Sequence, residues 1–115
     1  MLWNSRPSGR GFYAASFINL VGVEMHRHHD VEYYADRLCI TANYLNKISH
    51  STLGVSAHSY INSRIIAEAK NLLEITELSV NQISDTLGFM TPDYFIRFFK
   101  KQTGRTPGEF RNKAQ

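Results

Sequence analysis

Apolar residues recur at helical spacing along almost the whole chain, and no stretch alternates apolar and polar residues long enough to predict a strand. Within the run from Phe12 to Met25, Tyr13, Phe17, Ile18, Leu20 and Val21 share one side of a helix, with Ser16 and Asn19 opposite and Glu24 as a misfit. Next, Val31, Tyr34, Ala35 and Leu38 follow the i, i+3, i+4, i+7 pattern, with Asp30 placed to cap the first turn. Thr41 suits the N-cap of a further helix with the stripe Tyr44, Leu45 and Ile48, which Gly54 ends. A longer helix over 57–73 carries Ile61, Ile65, Ile66, Ala69, Leu72 and Leu73 on one stripe, with Arg64, Glu68, Lys70 and Asn71 off it. Ser79 then caps Val80, Ile83, Ser84 and Leu87, and Gly88 permits a turn. Thr91 caps the next helix with Pro92 at its first position, where the missing N–H costs nothing. Gly104 ends that helix, and Thr106-Pro107 opens a short last one bearing Phe110. The pattern predicts an all-α fold of about seven helices.

Two of these segments are copies of one unit. Residues 44–56, YLNKISHSTLGVS, lie over 94–106, YFIRFFKKQTGRT, at an offset of 50: Tyr44 over Tyr94, Leu45 over Phe95, Lys47 over Arg97, Ile48 over Phe98, Gly54 over Gly104 and Ser56 over Thr106. Upstream, Asp30, Val31, Tyr34, Ala35 and Leu38 match Ser79, Val80, Ile83, Ser84 and Leu87 at an offset of 49, so the second copy has one extra residue in its joint. Each copy reads as helix, tight turn, helix.

Composition narrows the class. At 115 residues with 43% hydrophobic content the chain suits one compact domain with a real core. The net charge of +3 is mild, but its distribution is not even. From Ser79 onward, Arg97, Lys100, Lys101, Arg105, Arg111 and Lys113 face only Asp85, Asp93 and Glu109, and this basic third suits a phosphate-facing surface. The one cysteine, Cys39, excludes an intramolecular disulfide and a cysteine-based zinc site. Between Leu38 and Ile40 it is expected to be a small buried apolar residue in a reducing, cytoplasmic setting. The run from Phe12 is too short to span a bilayer and no small-residue cleavage site follows it. Residues 1–11, with Pro7 and Arg6 and Arg10, read as a linker or truncation boundary before a domain over 12–113.

Two helix-turn-helix units, over about 30–54 and 79–104, joined by a long helix resemble the C-terminal DNA-binding domain of AraC-type bacterial transcription regulators. The match is carried by Tyr34-Ala35-Asp36-x-Leu38, then Tyr44-Leu45, and by Ala67-x-Ala69-Lys70-x-Leu72-Leu73 on the joining helix. Its strongest block is Ile83-x-x-x-Leu87-Gly88-Phe89 followed by Tyr94-Phe95-x-Arg97-Phe98-Phe99-Lys100-Lys101-x-Thr103-Gly104-x-Thr106-Pro107. His50, Leu53, Met90 and Ile96 depart from residues common at those places in the family, and this bears on base preference rather than on fold. The resemblance implies that the second helix of each unit enters a major groove, the two lying about one DNA turn (~34 Å) apart. It also implies a partner that is a bipartite promoter site with half-sites about ten base pairs apart. Members of the family generally carry a separate sensing domain, for which this chain is too short; a fragment and a stand-alone regulator both remain open.

Helical phase separates core from reading surface in the last large helix. Tyr94, Phe95, Phe98 and Phe99 fall within an arc of about 140° and are expected to pack inward. Asp93, Ile96, Arg97 and Lys100 fall opposite. A guanidinium can hold guanine O6 and N7 with two hydrogen bonds, so Arg97 is either a base reader or a phosphate or surface ion-pair group. Ile96 has only a thymine methyl to contact, and Lys100, Lys101 and Arg105 suit phosphates. In the first unit the same face carries Ala42, Asn43, Asn46, Lys47 and His50. Asn43 or Asn46 either pairs with adenine or is plain exposed helix surface, and the helix N-termini at Thr41 and at Thr91, which Pro92 follows, offer free amides to phosphate. The run His26-Arg27-His28-His29-Asp30 has no second ligand cluster at metal spacing and is expected to be a solvated connection, with no metal or cofactor. No nucleophile-base arrangement predicts an enzyme. The main expectation is sequence-specific DNA binding, as a monomer in isolation. The other reading is a regulatory module that contacts RNA polymerase or another regulator.

Overall fold

The computed structural model describes residues 9–114. These form seven α-helices: α1 (Gly9–Glu24), α2 (Val31–Arg37), α3 (Ala42–Leu53), α4 (Ala57–Ile75), α5 (Val80–Thr86), α6 (Pro92–Thr103) and α7 (Pro107–Ala114). No strand occurs among the described residues. Helix α1 takes in residues 9–11, which were expected to lie in a linker; the rest of that expected linker, 1–8, is outside the described residues. Helix α4 runs two residues past the expected end at 73.

The chain divides into two compact units. One comprises α1, α2, α3 and the α4 residues up to Asn62; the other comprises residues 25–28, the rest of α4, and α5, α6 and α7. In the first unit Ala14, Phe17 and Val21 are the buried line of α1. Tyr34 and Ala35 of α2, Leu45 and Ile48 of α3, and Ala57 and Ile61 of α4 are buried in the same unit. Phe17 sits at the centre, its ring 5.8 Å from that of Tyr34 and 5.4 Å from that of Tyr60. Tyr34 is wholly buried, and burial, helped by the charge of Glu24, pushes its phenol far above the ordinary tyrosine range. Tyr13, Ile18 and Leu20, expected in the core stripe of α1, are only half-buried, because the line through Ala14 sets the helix phase.

In the second unit Ile65, Ile66, Ala69 and Leu73 of α4, Ile83 and Leu87 of α5, and Phe95 and Phe99 of α6 are the buried apolar residues of their helices. Phe89, in the turn before α6, stacks within 5.1 Å of Phe95 and 5.3 Å of Phe98, and Phe110 of α7 lies 5.6 Å from Phe99. Each of these large side chains removes about 1.5–3 kcal/mol worth of apolar surface from water. Arg111 of α7 reaches the part-buried carbonyls at the end of α4, donating to Leu73 O at 3.0 Å, Thr76 O at 3.3 Å and Leu72 O at 3.5 Å.

Start and stop signals read from the sequence are in place at most helix ends. Thr41 accepts from the Tyr44 amide at 3.0 Å and Thr91 from the Tyr94 amide at 3.1 Å. Ser79 and Gln82 form a reciprocal capping box at 3.0 and 2.8 Å. Gly54 and Gly104 end α3 and α6 in the left-handed conformation. Asp30 is the exception. Its backbone has the extended N-cap geometry, but its side chain makes no capping bond.

The turns inside the two units solve one problem in two ways. The second uses Gly88 at φ 81; the first puts Cys39, its counterpart at the offset of 49, at φ 60. Cys39 is therefore exposed in the turn rather than buried, contrary to its apolar neighbours' suggestion. With Ile40 matched to Phe89 by the same offset and Thr41 to Thr91 at 50, the extra residue of the second unit is Met90. It stands 95% exposed immediately before the N-cap.

Candidate nucleic-acid interface

The second helix of each unit presents a polar stripe, because its opposite side is spent on the core through Leu45 and Ile48 in α3 and Phe95 and Phe99 in α6. On α3, Asn43, Lys47 and His50 are exposed and Ala42 is half-buried. On α6, Asp93, Arg97, Lys100 and Lys101 are exposed, with Thr91 at the N-cap and Pro92 half-buried in the first turn. Lys47, Arg97, Lys100 and Lys101 are held by no ion pair among the described residues. Unengaged cations on a fixed helix face keep their full charge for an external anion. Arg105 lies in the exposed turn after α6, where it and Lys100 help the Thr106 hydrogen bonds hold the Glu109 carboxyl below its usual range.

Two expected readers are placed otherwise. Asn46 is half-buried, and its Oδ1 accepts from the Ala57 amide at 3.0 Å, capping α4. Its position faces the joint between α3 and α4, where an orphan amide needs an acceptor. Ile96, its counterpart in α6 at the offset of 50, is also half-buried rather than fully outward.

Two aromatics move the other way. Tyr94 was expected in the core but is 57% exposed, and Tyr44 is 36% exposed. Each is the third residue of its helix, and its arc position at the edge of the apolar stripe puts it on the rim of the polar face. Three further groups thus border the candidate surface: Tyr44 and Tyr94, which residue type alone placed in the core, and the exposed Met90. The offset between the copies was the available signal for all three, since it pairs the tyrosines and isolates Met90 as the extra residue.

Elsewhere, His26 Nε2 lies 4.0 Å from Glu68 Oε2, and no group of three or more His, Cys, Asp or Glu residues is gathered for a metal among the described residues. No helix of the described residues is long and apolar enough to cross a membrane.

Residues 34–113 match the family model described as a helix-turn-helix domain. The chain is 34% identical over 84 residues to the arabinose operon regulatory protein of Salmonella typhimurium, covering 73% of this chain and 30% of that protein. It is 32% identical over 114 residues to the HTH-type transcriptional regulator YpdC of Escherichia coli, covering 97% of this chain and 39% of that one. The chain thus spans less than half the length of these relatives. Among solved structures, it superposes with a TM-score of 0.80 on the C-terminal domain of AraT, a response regulator from Geobacillus stearothermophilus, at 25% identity over 94% of this chain and 88% of that one. The DNA-binding domain of AdpA, solved in complex with a target DNA, shares the fold with a TM-score of 0.77 at 23% identity, covering 88% of this chain and 90% of that one. With this all-α fold among the described residues and these relatives, the chain belongs to the AraC-type family of helix-turn-helix transcription regulators and forms a DNA-binding domain of that family.

Proposed function

We propose that this domain binds a bipartite DNA site as a monomer, with α3 and α6 as recognition helices in successive major grooves about one turn (~34 Å) apart. The observation that carries the reading is the matched pair of exposed stripes, Asn43-Lys47-His50 on α3 and Asp93-Arg97-Lys100-Lys101 on α6, each backed by a buried apolar side and opened by a capped helix start. Arg97 is the base reader, through guanine O6 and N7. Asn43 is the adenine reader of the first unit, and Lys47, Lys100, Lys101 and Arg105 hold phosphates. Free amides at the starts of α3 and α6 add to the phosphate hold. Such a domain works in the cytoplasm, as the DNA-binding part of a transcription regulator rather than as an enzyme.

The test is selection of bound duplexes from a random pool, followed by deletion of each half-site in turn. Paired half-sites about ten base pairs apart, with affinity lost when either is removed, support the reading. Retention of full affinity after loss of one half-site overturns the two-helix arrangement. Charge reversal at Lys47 and Arg97 separates this from a module that contacts RNA polymerase: DNA recognition collapses, whereas a protein contact made elsewhere persists.

A further inference from the structure

We infer that Tyr44 and Tyr94 are a matched pair of DNA-backbone anchors, each donating its phenolic hydroxyl to a phosphate oxygen beside the capped start of its helix. The inference rests on the reading of α3 and α6 as DNA-facing helices and adds the residues that fix their register.

Four observations converge on these side chains. They are counterparts at the offset of 50, each the third residue of its helix. Each is exposed, 36% for Tyr44 and 57% for Tyr94, on the rim of the polar stripe. Each ring is nevertheless braced by an aromatic from outside its helix: Tyr44 by Tyr13 of α1 at 6.0 Å, and Tyr94 by Phe89 of the preceding turn at 6.0 Å. Finally, neither hydroxyl makes a hydrogen bond among the described residues, whereas the Tyr33 hydroxyl accepts from Arg37 at 2.8 Å.

A ring braced on one side and free at its hydroxyl has already given up much of its rotational freedom, so a contact there costs little further entropy. Helical side chains lean toward the N-terminus, which carries each phenol toward Thr41 or Thr91, at the positive end of its helix. A phenol makes a stronger bond to a charged phosphate oxygen than to a neutral base edge, and tyrosine belongs with the side chains that contact the sugar-phosphate backbone. One turn further on stands a cation in each case, Lys47 after Tyr44 and Arg97 after Tyr94. Anchoring the phenol therefore sets how deep that cation sits in the groove. The tyrosines are positioning groups, whereas Arg97 reads bases in the second unit and Lys47 neutralises phosphate in the first.

The experiment compares the unaltered domain with Tyr44→Phe and Tyr94→Phe on a selected bipartite duplex and on random duplex. Each variant should bind both duplexes about 3- to 10-fold more weakly, the effect of one hydrogen bond, with the same melting temperature. The slope of log affinity against log salt should not change, because a neutral hydroxyl releases no counterion. Neutral methylphosphonate walked along the backbone should reveal one position per half-site at which the domain and its phenylalanine variant bind alike. Unchanged affinity in both variants overturns the inference, and so does a loss confined to the selected site with an altered base preference, which would make the tyrosines base readers. If the unaltered domain prefers no selected site over random duplex, the proposed function itself fails, a result distinct from either of these.

Discussion

A Cβ placed on Gly88 would collide with the main-chain oxygen of His26, which approaches the turn of the second helix-turn-helix unit on the side where any other residue would carry its side chain. Gly88 also sits at φ 81. Position 88 thus excludes a side chain twice over, by backbone conformation and by backbone-on-backbone approach. Gly88→Ala should cost at least about 3 kcal/mol, the left-handed penalty of about 1–2 kcal/mol plus the displacement of a main-chain group that cannot rotate away. Urea unfolding of the variant against the parent domain checks this, and a loss under 1 kcal/mol would mean the loop at 26–28 gives way cheaply.

At the counterpart position the sign reverses. Cys39 holds φ 60 with a side chain, and it is exposed. Cys39→Gly should relieve about 1–2 kcal/mol of left-handed strain and give back about 0.5–1 kcal/mol through the freer unfolded chain. A net gain of about 0.5–1 kcal/mol in the unfolding free energy measured in urea is expected, with DNA affinity unchanged.

These two turns also mark how far the sequence could be read. Helix positions, caps at Thr41, Ser79 and Thr91, and stops at Gly54 and Gly104 follow from local chemistry, so each was legible in residue type and spacing. Cys39 was not, because a cysteine between Leu38 and Ile40 looks buried, and only its match to Gly88 indicates a turn position. Phase arguments sorted Arg97 and Lys100 correctly outward. They failed at the edges of the arc, on Tyr94, Ile96 and Asn46, where 100° per residue does not say which neighbouring helix covers the rim. That information lies in tertiary packing: the α4 amide that claims Asn46, and the Phe89 ring, 6.0 Å from that of Tyr94, beside which Tyr94 stays exposed.

Asn46 and Asn43 can be separated by their effects. Asn46→Ala removes the acceptor of the Ala57 amide and should destabilise the domain by about 1 kcal/mol without altering the order of preferred DNA sites. Asn43→Ala, at an exposed position, should leave unfolding within about 0.5 kcal/mol of the parent and weaken preference for adenine at one base pair of the first half-site. Thermal melts with a parallel binding-site selection give both readouts, and an exchange of these outcomes would return Asn46 to the reading surface.

Arg111 provides a stability test remote from the candidate interface. Its guanidinium supplies the end of α4 with charge-assisted donors to Leu72, Leu73 and Thr76 carbonyls. Arg111→Met keeps much of the side-chain length and removes those donors, and should cost about 1.5–3 kcal/mol. The same variant should lose little DNA affinity at temperatures well below its midpoint, since the carbonyls it serves belong to α4 and not to α6.

Arg97 and Lys100 lie one turn apart on the exposed side of α6, so the difference between reading and holding is measurable within a single helix. A bidentate contact to guanine discriminates by about 1–3 kcal/mol, and a phosphate contact carries no sequence information. Arg97→Ala should therefore lose about that much affinity for the selected site and become indifferent at one base pair of the second half-site. Lys100→Ala should weaken selected and random duplex alike and lower the salt slope by about 0.9. If Arg97→Ala instead weakens both duplexes equally and leaves the preferred sequence intact, Arg97 holds phosphate, and base choice in the second half-site passes to Asp93, to Ile96 or to the exposed Met90 beside the helix start. A binding-site selection repeated with Asp93→Ala, Ile96→Ala and Met90→Ala would assign it, because an acceptor for cytosine N4 and an apolar contact to thymine methyl leave different bases relaxed.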